Sequence, residues 1–180
     1  MEHTCYMGID PGKVGFIAIQ YNGEFKHFSI ADNDLYQLSD LFATIKEKHP
    51  TIVCCMEQIH AIYGSSASAT FSFGEIFGVL QGLLIANKIP YHLVQPKIWQ
   101  KEMWDNKDIE VHYKRVTPPK DNPYKEIKMR KVTDTKATSI NAARRLFPTI
   151  DFRRTERCSK IDDNKVDATL ICEYARRKNL

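Results

Sequence analysis

Residues 5–30 restrict the fold more than any other part of the chain. Three short runs follow one another, "CYMGI", "GFIAIQY" and "EFKHFSI". The first is closed by Asp10-Pro11-Gly12 and the second by Asn22-Gly23. Asn-Gly between two alternating runs is a strong signal for a two-residue hairpin turn, because both residues tolerate positive φ. The chain therefore opens as an antiparallel meander of three strands. "DNDLYQLSDLFATIKEKH" then changes period: Leu35, Leu38, Leu41, Phe42 and Ile45 share a helical face, with Asp32 or Asn33 available as a cap and Pro50 past the end.

Beyond that point strands and helices alternate. "TIVCCME" reads as a strand buried on both faces and parallel to the first. An apolar helix spans about 69–87, "YHLV" is a fifth strand, and "PKIWQKEMW" is a short helix. A helix capped by Thr133 or Asp134 runs through "TKATSINAARRLF", and a last one covers about 163–177. Between them, 105–132 contains Pro118, Pro119, Pro123 and many lysines, and reads as a flexible basic loop. This order predicts an α/β fold: a mixed five-stranded sheet, three antiparallel strands then parallel ones, with helices on both faces. A length of 180 residues suits a single domain.

Asp10 ends the first strand and Glu57 the fourth, at the carboxyl edge where open α/β sheets place their ligands. The last helix opens "DDNKVDATLI". Asp163 and Asp167 lie four apart on one face, and Asp167 shares the stripe of Leu170, Ile171 and Tyr174 that should meet the sheet. Taken singly, Asp10 reads as a turn cap, Glu57 as a rim residue and Asp163 as a helix cap. Taken together, three distant elements deliver acids to one place, where a cation would keep them ionised. The ligands are hard oxygens, with no His or Cys at ligand spacing, which favours magnesium or manganese over zinc. Two such ions would form a phosphoryl-transfer site.

The composition sets limits on partners. Net charge is +4 with pI near 8.7, compatible with a polyanion. Five cysteines with no C-x-x-C pair read as free thiols, and no signal peptide opens the chain. The most apolar stretch, "IFGVLQGLLIA", is too short to span a bilayer. A soluble intracellular protein with no membrane partner is expected.

"GIDPGKVGFIAI", "MEQIHA" and "DDNKVDATLI", in this order and spacing, resemble the RuvC-like Holliday junction resolvases of the ribonuclease H-like superfamily. "FGEIFGVLQGLLIANKIPYHLVQPKIWQK", "TKATSINAARRLFP" and "VDATLICEYARR" look most like the phage- and plastid-type branch. The resemblance implies a homodimer that nicks two strands of a four-way DNA junction with magnesium, leaving 5′-phosphate and 3′-hydroxyl ends. By matched motif it implies Asp10, Glu57, Asp163 and Asp167 as metal ligands, with Asp162 a rival for Asp163. It also implies that Lys136 contacts a phosphate near the cut, and that an aromatic after the glutamate stacks at the junction centre. That position is His60 here, with Tyr63 nearby, although Tyr63 would equally serve to anchor its loop.

Lys97, Lys101, Lys128, Arg130, Lys131, Arg144 and Arg145 offer a phosphate-tracking surface. Gly74, Gly78 and Gly82 recur every fourth residue of the apolar helix, which asks for another backbone close by: the sheet beneath or the same helix of a second copy. The alternatives are a nuclease for RNA–DNA hybrids or other branched DNA and a non-catalytic junction-binding protein. An actin-like ATPase or sugar kinase would need a second glycine-rich phosphate loop, which the chain lacks.

Overall fold

The computed structural model describes residues 4–59, 66–116 and 128–180. Its sheet has the order β3-β2-β1-β4-β5, formed by β1 (Cys5–Asp10), β2 (Phe16–Tyr21), β3 (Glu24–Ser29), β4 (Ile52–Glu57) and β5 (Tyr91–Val94). β1, β2 and β3 are antiparallel, while β4 pairs parallel with both β1 and β5. Asn22 and Gly23 both take positive φ in the β2–β3 turn, as the expected hairpin requires. The mixed α/β sheet is therefore the one the sequence predicts.

Side chains alternate across this sheet with period two. Cys5, Met7, Ile9, Cys54 and Met56 meet α1 (Leu35–Lys48) and α2 (Ala67–Ala86) through Leu38, Phe42, Leu80 and Leu84. On the opposite face Cys55 and Val94 meet α3 (Pro96–Met103), α4 (Thr135–Leu146) and α5 (Asp163–Lys178) through Trp99, Ala142, Ala143, Val166 and Leu170. Gly8 and Asp10 lie in the same alternate positions of β1, and Cys55 and Glu57 in those of β4. The alternation thus assigns both strand-end acids to the α5 face.

Several local expectations change. The α1 cap is Asp34, not Asp32 or Asn33, because Gln37 completes a reciprocal capping box with it. Of Thr133 and Asp134, Asp134 caps α4. The reading of 105–132 as a loop is corrected: a 3-10 turn, Asn106–Asp108, leads into β6 (Val111–Val116), which pairs antiparallel with β7 (Lys128–Thr133) as a separate two-stranded sheet. The prolines that suggested irregularity lie at 118, 119 and 123, outside the described residues.

The apolar stretch also grows. α2 has 20 residues, long and apolar enough by length and composition to cross a membrane, although Leu80 and Leu84 tie it to the core. A Cβ at Gly74, Gly78 or Gly82 would meet nothing within 4 Å, so the sheet is not the partner that these glycines approach.

Candidate active site

The geometry of the site starts at Gly8. α5 crosses β1 so closely that Ala168 and Cys172 occupy the space a side chain would need there. Asp167 directly precedes Ala168 on this helix, Asp163 lies about one turn earlier, and the charges of both act on Asp10 at the end of β1. Glu57 is the residue following Met56, which pairs with Ile9, so it stands alongside Asp10 on the neighbouring strand.

Each of the four carboxylates has one protein donor. The Gly12 N–H donates to Asp10 within the Asp-Pro-Gly turn. The Trp99 indole Nε1 donates to Glu57 Oε1 at 2.9 Å. The buried Ser139 hydroxyl donates to Asp167. The Lys136 ammonium pairs with Asp163. Asp167 Oδ1 is buried with no hydrogen-bond partner.

The electrostatics record the crowding. Burial, then the charges of Asp167, Glu57 and Asp163, hold the Asp10 carboxyl well above the usual range. Burial pushes Asp167 up to about 7, with Glu57 and Asp163 adding to the rise and Ser139 and Lys136 opposing it. Burial also raises Glu57, against the Trp99 N–H. Lys136 is raised by its bond to Asp163.

The acids are neighbours, but they do not close into a cage. Among the described residues no three His, Cys, Asp or Glu side chains converge as a formed metal site. The expectation of a ready-made pocket gripping a common ion is corrected to this extent. The physical reason is that like charges turn toward hydrogen-bond donors where these are within reach. The donor chemistry still fits a hard divalent cation: every ligand is a carboxylate oxygen, and one is buried without a partner.

Asp162, the rival of Asp163, caps α5 and pairs with Arg154 at 3.1 Å. Arg154 also donates to Ser29 Oγ at 2.6 Å and lies over the Phe16 ring, so it ties the start of α5 to β3. His60 and Tyr63 lie outside the described residues. Lys97 and Lys101 are exposed on α3, Arg144 is exposed on α4, and Lys128, Arg130 and Lys131 are exposed on β7. Arg145 departs from expectation: it clamps buried Asp108 through two nitrogens and donates to the Met103 carbonyl, so it is committed to the protein.

Sequence reading missed Trp99, Ser139 and Arg154. Ser139 was accessible, lying three residues after Lys136 on the same helical face. The indole offered only the rule that a buried Trp N–H seeks an acceptor. Arg154 had no local signal for its tie to β3, because Ser29 lies more than a hundred residues away.

This architecture, a mixed five-stranded sheet with α5 crossing β1, is an α/β fold of the ribonuclease H-like kind. Within that class the fold is RuvC-like. It is similar to Thermus thermophilus RuvC in complex with Holliday junction substrate (TM-score 0.53, 10% identity, covering 97% of this chain and 96% of that one). It is also similar to a Thermus thermophilus RuvC structure (0.51, 12%, 97% and 96%). A third likeness is to the yeast mitochondrial Holliday junction resolvase Ydc2 (0.50, 17%, 95% and 77%). No protein-family model and no curated protein matches the chain by sequence.

Proposed function

We propose that this protein is a metal-dependent endonuclease that resolves four-way DNA junctions by paired nicks, leaving 5′-phosphate and 3′-hydroxyl ends. The observation that carries the reading is the crowding of Asp10, Glu57, Asp163 and Asp167 around one strand edge, where each raises or is raised by the others. Two solved proteins of this fold are named for Holliday junction resolution or were solved with a junction.

Asp10, Glu57, Asp163 and Asp167 would hold two magnesium ions, with manganese a substitute. Ions held by these carboxylates would supply charge stabilisation for phosphoryl transfer and would make a bound water more acidic. Lys136, exposed at the start of α4, contacts the phosphate beside the cut. Asp163 is the natural counter-charge for Lys136 until nucleic acid arrives.

The β6–β7 hairpin extends the DNA surface. Its strands carry Lys114, Arg115, Lys128, Arg130 and Lys131 and no acid. The register places Lys114 opposite Arg130, and Tyr113 opposite Lys131. A groove of about 500 Å³ between the hairpin's root and α4 includes His112, Arg144 and Lys160, along with Glu110 and Asp134. Lys97 and Lys101 add cations on α3, and His60 or Tyr63 would stack on a base. These contacts position DNA without reading its sequence.

A second copy of the chain completes the reading, docking through the open glycine face of α2. Two sites related by a two-fold axis match two symmetric strands. The test is Asp10→Asn on labelled four-way junctions with magnesium. Nicking should vanish while junction binding persists, and unchanged nicking refutes the assignment. Linear, Y-shaped and RNA–DNA hybrid substrates in the same assay separate this reading from a hybrid nuclease.

A further inference from the structure

We propose that Trp99 is a positioning residue for Glu57: its buried indole fixes the carboxylate that completes the candidate metal centre. The inference rests on the metal-dependent reading of that centre.

Trp99 is fully buried on α3, with Cys55, Val94, Met103 and Val166 in the same core cluster. Trp104 meets it edge to face, with ring centroids 6.5 Å apart. α3 itself is pinned close to Glu57. Val94 pairs with Glu57 across β4 and β5, the Gln58 N–H donates to the Val94 carbonyl at 2.7 Å, and Pro96 opens the helix only two residues later. The indole therefore has little freedom to rotate.

Its Nε1–H donates to Glu57 Oε1 at 2.9 Å. A hydrogen bond to a carboxylate is stronger than one between neutral groups. Acceptors are scarce in this region: the neighbouring Trp104 Nε1 is buried with no partner at all. No other described residue donates to Glu57, so one oxygen is tied and the second is left for a ligand.

The other side-chain donors of the site differ in kind. Lys136 is exposed on a long flexible stem, and Ser139 can rotate its hydroxyl. Only the indole is a rigid ring held on all sides. Glu57 is thus the carboxylate that stays in place while the others rearrange around an ion. Outer partners of metal ligands commonly control affinity by about 10–100-fold.

The test uses Trp99→Phe, which keeps an aromatic ring and removes the N–H. The magnesium concentration for half-maximal nicking should rise about tenfold or more, while junction binding in chelator is unchanged. A readout independent of activity uses terbium as the probe. The chain has two tryptophans, so Trp104→Phe leaves Trp99 as the only indole. Indole-excited terbium emission should appear in that variant, be competed by magnesium, and be lost when Glu57→Gln is added. Wild-type magnesium dependence in Trp99→Phe, or terbium emission indifferent to Glu57→Gln, overturns the proposal. Should Trp99→Phe not fold, the terbium arm still decides. Nicking by Glu57→Gln itself would instead overturn the underlying metal reading.

Discussion

A methyl group on Gly8 would stand 2.2 Å from the backbone nitrogen of Cys172 and 2.3 Å from the Ala168 carbonyl oxygen. Both are backbone atoms, so no side chain can yield. Gly8→Ala must push α5 off β1, at a cost of about 1–3 kcal/mol for overpacking. The same displacement carries Asp163 and Asp167 away from Asp10. Thermal denaturation should show a lowered Tm and junction nicking should fall, whereas a variant with wild-type Tm would contradict this packing.

The acids set a pH dependence in chelator. Asp167, with a folded pKa raised to about 7 from an ordinary 3.8, binds a proton in the native state that the unfolded chain has released. Stability from this group is fully present below the unfolded value and is lost as pH rises through the folded one. Between pH 4 and 7 the wild type should therefore lose stability relative to Asp167→Asn, which cannot titrate. Magnesium above pH 7 should restore the wild type and leave the variant little changed. Parallel Tm–pH curves for the two proteins would refute the shift.

The Asp108–Arg145 pair joins the root of the hairpin to α4. Asp108 is almost fully buried, and Arg145 holds its carboxyl below the usual range. Asp108→Asn should cost about 3 kcal/mol, the lower end for a broken buried pair, because Arg145 retains contact with water. Here the sign is opposite to that of Asp167: the contribution is present above the unfolded pKa and fades as pH falls through the folded one. Urea denaturation at neutral pH reads the cost, and hydrogen exchange at 105–111 should report the loosened root.

Neutralising Lys128, Arg130 and Lys131 to Ala should weaken junction binding and flatten its salt dependence. Each lost phosphate contact lowers the slope of log K against log salt by about one. A titration at several salt concentrations measures it. An unchanged slope would show that the hairpin does not touch phosphate.

Gly78→Glu separates folding from assembly. Open space surrounds Gly78, and glycine is a poor helix former, so the substitution should leave Tm unchanged or raise it slightly. Sedimentation should then give a monomer where the wild type gives a dimer. A dimer in both proteins would move the interface away from this face of α2.

The fold and the four acids were legible because they rest on local rules. Asn22-Gly23 specified a turn, the period-two runs specified strands, and the spacing of Asp163 and Asp167 put them on one helical face. The hairpin was obscured by three prolines that signal irregularity, and its strands are exposed, so they lack the apolar alternation that marks a buried strand.

What the sequence determined by itself was therefore the order of the five central strands and the helices packed on them, and which acids fall at strand ends and on one helical face, since these depend on neighbours along the chain. The tertiary structure decided which donor each acid meets, that Asp162 caps while Asp163 joins the site, and that Arg145 is committed to Asp108. Those outcomes depend on residues 8 to 125 positions apart in sequence, brought together only when α3, α4 and α5 pack on the sheet. Burial there removes water as a partner, and each polar group must take the protein donor that packing leaves within reach.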